Sequence, residues 1–249
     1  MRDISKYENV YNSETCENIQ VVFRRKKVIE LMEKYNHRRI LEIGCGNHPL
    51  FEFFQDFEEM TIVEPGKGFA ENARSCKDNY PQKKINIFED TIENIFKDIK
   101  TLNFDYIVIS SLLHEIENPM ELLSCVFALC SDNTVIHINV PNALSLHRLI
   151  AKEMGLIQDV HQISSLGIKL QQNNVFDLDQ ISQMLKESKF EVLERGTYFP
   201  KVFSYAQLEK MIKYEIIDES YFDGMYSLGE YLPDYGSELY IQAKISLMN

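Results

Sequence analysis

The run ILEIGCGNHP at 40–49 places a carboxylate and two glycines where a ligand can lie close to the backbone. A short apolar run carries Glu42, and the chain then turns through Gly44, Cys45 and Gly46. Glycine tolerates left-handed turns and lets a ligand approach the main chain, and a helix starting just beyond adds electropositive amides. Asn47 is a suitable cap for such a helix, and Pro49 fits its first turn. A lone GxG is a weak signal. The third glycine of the dinucleotide fingerprint GxGxxG is replaced by Pro49, which argues against NAD or FAD. Glu64, 18 residues after Gly46, ends the next apolar run, where an acid can accept hydrogen bonds from ribose hydroxyls. Glu89 and Asp90 end the run after that.

These residues need a scaffold that brings strand ends together, and the pattern along the chain supplies one. Short apolar runs at 39–43, 61–63, 84–90, 104–110 and 134–140 alternate with helical patterns at 19–32, 48–57, 68–79 and 119–130. Such alternation predicts a parallel sheet with crossover helices, with the three acidic sites on its carboxyl edge, where open α/β sheets bind ligands. A helical pattern at 142–154 leads into an irregular stretch at 155–176. A helix then opens at Asp177, with Gln180 in capping-box position. Strands follow at 190–199 and at 238–247, the latter alternating Leu239, Ile241, Ala243, Ile245 and Leu247 as in a half-buried strand. Between them, 204–232 reads as a tyrosine-rich helical insertion. The basic run Arg24 to Lys27 reads as a solvated helix face.

Composition narrows the partners. The 249 residues allow one large domain, or one domain and a cap. With 26 basic and 38 acidic residues the net charge is −12, which argues against nucleic acid or an anionic membrane as the main partner. No apolar run approaches the length of a spanning helix, and the first residues lack the apolar core of a signal peptide. Five cysteines without a CxxC pair argue against a disulfide framework or a metal site, so reduced thiols in a cytoplasm are expected.

LEIGCG, TIVEP, IFEDTIENI and FDYIVISSLLHEIENP together resemble the class I S-adenosylmethionine-dependent methyltransferases. The resemblance is good over 38–140 and looser over 177–249. It implies a Rossmann-like, doubly wound, mostly parallel seven-stranded sheet with an antiparallel last strand. It also implies an N-terminal helical lid over 1–37 and a methyltransferase domain over 38–249 that includes the cap. S-adenosylmethionine is the implied cofactor. Glu42, Gly44, Cys45 and Gly46 fall on the methionine side, Glu64 and Pro65 at the ribose, and Glu89 and Asp90 towards the adenine. Ser110 and Ser111 begin the loop beside the cofactor methyl, and Tyr11 belongs to the lid.

The same resemblance implies where the acceptor binds. Methyl transfer from a sulfonium is an in-line displacement that proximity and orientation promote. A hydroxyl acceptor also gains from a base, for which His114 has a suitable pKa; the plainer reading is that His114 packs the loop. VPNALSLHRLIAKEMG at 140–155 resembles a subgroup of bacterial methyltransferases associated with surface-polysaccharide or other small-molecule biosynthesis. There, Asn142, His147 and Arg148 face the acceptor, with Arg148 offering a fork to phosphate or carboxylate. His161, Tyr198 and Lys201 join them as pocket residues. The acceptor is then a small polar metabolite, methylated on oxygen or nitrogen by a monomer or homodimer. Two other readings stand beside this one: an NAD-dependent oxidoreductase, and a non-catalytic subunit that keeps the fold.

Overall fold

The computed structural model describes residues 16–247 and Ile4. Tyr11, assigned above to the lid, lies outside the described residues. Seven strands form one sheet: β1 (Arg39–Ile43), β2 (Glu59–Val63), β3 (Lys84–Phe88), β4 (Tyr106–Ser110), β5 (Val135–Pro141), β6 (Phe190–Tyr198) and β7 (Glu238–Ile245). Their order is β3-β2-β1-β4-β5-β7-β6. The pairs within β1–β5 are parallel, and β7 runs antiparallel to both β5 and β6. The order reverses between β1 and β4, which opens a crevice at their carboxyl ends.

Helices cover both faces, in chain order α1 (Cys16–Met32), α2 (Lys67–Lys77), α3 (Ile92–Ile99), α4 (Pro119–Leu129), α5 (Leu146–Glu153), α6 (Ser165–Lys169), α7 (Leu178–Glu187), α8 (Tyr205–Lys213) and α9 (Glu219–Leu228). Successive strand residues point to opposite faces, so the apolar strands feed two cores. Leu41, Ile43, Ile107, Ile109 and Ile136 pack with residues of α3, α4 and α7. Ile40, Ile62, Tyr106 and Val108 pack on the other side with Val28 and Met32 of α1. A third cluster joins Phe23 of α1 to Tyr198, Phe199, Leu208 and Phe222 under the cap helices α8 and α9. Burying one such side chain contributes roughly 1.5–3 kcal/mol, so α1 is fixed between sheet and cap.

Several elements differ from expectation. The helix expected over 48–57 is only a 3-10 turn, Leu50–Glu52. Leu50 and Phe51 are both buried, and the amide of Leu50 donates to Glu42 Oε2 at 2.9 Å, which ties the first residue of this turn to the end of β1. Asn47 therefore caps no α-helix. The irregular stretch contains the short α6, whose N-terminus is capped by Ser164. The capping box at Asp177 and Gln180 forms in both directions. The last strand is covered on both faces, since Glu238 and Gln242 are as buried as Leu239 and Ile241. Gln242 is tolerated there by a chain of hydrogen bonds from Tyr106 through Gln242, His137 and Asn139 to Tyr198. Arg24 and Arg25 are buried too, and the solvated-face reading of that run is corrected at both positions.

Candidate active site

A cavity of about 240 Å³ occupies the crevice at the carboxyl ends of β1, β2 and β4. Its floor is the turn Gly44, Cys45 and Gly46; Glu64 and Pro65 line one side, and Ser110, Ser111 and Leu112 the other. Gly44 and Gly46 have φ of 77° and 56°, so the turn uses the left-handed backbone that glycine allows. A side chain at Gly44 would also come within 3.5 Å of Leu112. Ser111 holds φ 55° without being glycine, a strained conformation at the edge of the cavity.

Glu64 is buried against its own loop. Its Oε1 accepts from Gly66 N at 2.8 Å and its Oε2 from Gly46 N at 3.1 Å. Burial pushes its pKa up, and the amides of Gly66, Gly46 and Cys45 oppose that. A carboxylate offers about four acceptor sites, so Glu64 retains capacity for a ligand hydroxyl. Ser110 Oγ is buried at the cavity without a hydrogen-bond partner among the described residues. Together with the open glycine turn, these groups fit a nucleoside carrying a polar tail.

Glu42 lies beneath the turn and does not line the cavity. Its Oε1 is 2.7 Å from Arg25 Nη1, a fully buried ion pair. Burial raises the Glu42 pKa, and Arg25 with the Leu50 amide pulls it back. Arg25 Nη2 also donates to Cys45 O at 3.2 Å and to His48 O at 2.5 Å. One guanidinium from α1 thus ties the acidic strand end to both sides of the glycine turn. Arg24 and Arg25 both line the cavity, and sequence reasoning missed them. Glu89 and Asp90 are not lining residues: Glu89 pairs with Arg74 at 2.8 Å, and Asp90 Oδ1 accepts from Thr91 N and Asn94 Nδ2. Their neighbours Thr91, Ile92 and Glu93 line the cavity instead.

The residues assigned to the acceptor lie beyond this cavity. His114 is buried, 4.0 Å from Glu115 by its Nε2, and its carbonyl accepts from the amides of Asn173 and Asn174. Glu115, not His114, lines the cavity. The Asn142 side chain bridges Gly236 O and Leu144 N. Arg148 donates to the carbonyls of Val160 and Gln162, so its fork is spent on the backbone. His161 is held by Asp159 and Asp177. Tyr198 is buried with its hydroxyl 3.5 Å from Asn139 Nδ2, and burial pushes the His147 pKa down, with the charges of Lys201 and Arg148 adding to the effect.

Residues 13–195 match a family described as a methyltransferase domain. Among solved structures, the chain is similar to an S-adenosylmethionine-dependent methyltransferase from Archaeoglobus fulgidus (16% identity, TM-score 0.57, covering 91% of this chain and 94% of that one). It is also similar to the plantazolicin methyltransferase BpumL in complex with SAH (21% identity, TM-score 0.56, 97% and 89%). A third likeness, to the [4+2]-cyclase SpnF (13% identity, TM-score 0.57, 90% and 80%), shows that this fold by itself does not fix the reaction. No curated protein matches the chain in sequence. The family match spans well over half of the chain, and the seven-stranded order agrees with it. The chain belongs to the methyltransferase domain family, and its fold is the one seen in the S-adenosylmethionine-dependent methyltransferases it resembles.

Proposed function

We propose that the chain transfers a methyl group from S-adenosylmethionine to an oxygen or nitrogen of a small polar metabolite, a sugar or a phosphorylated compound. The observation that carries this reading is the cavity at the β1/β4 switch, floored by the glycine turn and flanked by Glu64 and Ser110. In this reading Gly44, Cys45 and Gly46 hold the methionine part, Glu64 and Pro65 the ribose, and the segment from Glu89 to Glu93 the adenine. When bound, the cofactor supplies a methyl group on a sulfonium, open to attack by a lone pair. Arg25 keeps the turn in shape, and Ser110, Ser111 and Leu112 wall the side from which the acceptor approaches. Because His114 is buried and does not line the cavity, the reading gives catalysis to closeness and orientation. His114 then holds its loop through the carbonyl bonded to Asn173 and Asn174.

A role in surface-polysaccharide or related biosynthesis rests on the resemblance of 140–155 to that bacterial subgroup. A cytoplasmic setting is part of the same reading. It is supported by free thiols at Cys45, Cys76, Cys125 and Cys130, and no described helix is long and apolar enough to cross a membrane. Incubation with methyl-labelled S-adenosylmethionine and fractionated small-molecule extracts tests the activity. Label should move to a small polar compound, and His114→Ala, which keeps the carbonyl that holds the loop, should stay within about tenfold of that rate, a smaller loss than removing a base would cause. Label that stays on the donor with every fraction sinks the reading.

A further inference from the structure

Three segments meet beside the cofactor cavity, beyond the pair formed by Arg24 and Glu238 at 3.6 Å. The chain leaving β5 lies along the chain that leads into β7: Asn142 N donates to Ser237 O at 2.9 Å, and Leu146 N to Tyr235 O at 3.1 Å. The chain leaving β6 joins them through Ser237 N to Phe199 O at 3.0 Å and Gly236 N to Thr197 Oγ1 at 2.8 Å. The approach is so close that a Cβ on Gly236 would stand 2.3 Å from the Tyr198 backbone. Backbone groups are satisfied here, but side chains are not. Ser145 Oγ, His147 Nδ1 and Ser237 Oγ are all buried with no hydrogen-bond partner among the described residues. Ser145 is 0% and Ser237 4% exposed, and Ser145 makes no side-chain bond to the α5 helix that it precedes.

A buried hydroxyl without a partner gives up its hydration for nothing, so such groups call for an explanation. Two on neighbouring segments, with an imidazole nitrogen in the same state, call for a ligand. The local charge says which kind. Lys201 is 4% exposed, with Nζ 3.1 Å from the centre of the Tyr205 ring. Burial, with Lys201 and Arg148 nearby, pushes the His147 pKa down to about 2. The imidazole is therefore neutral in a positive surrounding, which an anion would relieve.

We propose that Ser145, His147, Lys201 and Ser237 form the acceptor subsite, and that it binds the carboxylate or phosphate of a small acid. This rests on the methyltransferase reading, since the segments lie next to the cofactor cavity through Arg24 and Glu238. The serine hydroxyls donate to the anion, and Lys201 supplies charge. An anion seated there offsets the field of Lys201 and Arg148, so the His147 pKa rises.

The test uses the full chain, isotope-labelled at histidine, with and without S-adenosylhomocysteine. Inorganic phosphate and malonate are titrated separately against chloride at matched ionic strength. At least one anion should raise Tm by about 3 °C or more and move the His147 imidazole titration upward. Whether phosphate or malonate does so separates a phosphorylated acceptor from a carboxylic one. Ser145→Ala and Ser237→Ala should melt no lower than the wild type without anions, because each removes an unpaired buried group, yet both should lose the anion-dependent rise. If neither anion acts beyond chloride, or if the serine variants keep the full shift, the subsite is wrong. Failure of S-adenosylhomocysteine to bind strikes the methyltransferase reading instead, and the anion titrations without it still decide this one.

Discussion

Arg25 sits 2.7 Å from Glu42 with neither group open to water. Removing one partner of a buried pair leaves the other charged and unpaired, which typically costs about 3–5 kcal/mol. Arg25→Met should therefore lower the urea-unfolding free energy by about that amount. Arg25→Met with Glu42→Gln should recover most of it, since no lone charge remains. A single variant within about 0.5 kcal/mol of wild type would show that the pair contributes nothing. Gly44 gives a second test. Its φ of 77° costs an L-residue about 1–2 kcal/mol, so Gly44→Ala should destabilise by that amount and weaken cofactor binding. Gly44, Gly46 and Glu64 were legible in the sequence because the glycine turn and the acid fall together at the ends of successive apolar runs, although each alone is a weak signal. Arg25 was not. Its partners at Glu42, Cys45 and His48 are near only after α1 folds across the sheet, and a run of four basic residues looks like a wet surface.

At the scale of elements, a strand is legible where its residue pattern has one explanation. The five parallel strands are short, apolar and separated by helical spacing, and each formed near its expected place. The helix at Ile92–Ile99 was written just as clearly, since Ile92, Ile95, Phe96 and Ile99 follow i, i+3, i+4, i+7. The single turn at Leu50–Glu52 was not legible, because the tie from the Leu50 amide to the buried Glu42 joins it to β1 and no local pattern announces that contact. β7, paired with β5 and β6, also carries the chain of hydrogen bonds through Gln242 and His137, which no local pattern announces. Asp177 tests the part that was legible. Its Oδ1 caps α7 and its Oδ2 holds His161 at 3.1 Å. Asp177→Ala should cost about 1 kcal/mol in thermal or urea melts, while Asp177→Asn should lose much less. Equal melts for all three proteins would show that the cap is idle.

For the whole molecule, acid stability follows from its buried imidazoles. Burial pushes the His137 pKa from 6.5 down to about 4, so the folded chain keeps this ring neutral. The unfolded chain takes up a proton below about pH 6.5. Stability is therefore intact above that pH and falls as pH drops towards 4, by up to about 3 kcal/mol from His137 alone. Urea midpoints measured from pH 8 to pH 4 should show the decline beginning near pH 6.5; a flat profile to pH 5 contradicts it. The net charge of −12 has a local meaning as well. Acidic Glu42 and Glu64 lie at or beneath the cofactor cavity, while the buried cations Arg24, Arg25 and Lys201 lie along it and towards the cap. Both signs therefore meet around one cavity, with Arg25 paired to Glu42 and Arg24 to Glu238.

Calorimetric titration of the full chain with S-adenosylhomocysteine, with NAD as the control, asks whether the cavity at the β1/β4 switch holds S-adenosylmethionine. S-adenosylhomocysteine should give one binding event per chain and NAD none, with binding weakened by about tenfold or more in Arg25→Met, which removes a supporting group of the site. Binding of NAD with no heat from either S-adenosylhomocysteine or S-adenosylmethionine would contradict that reading.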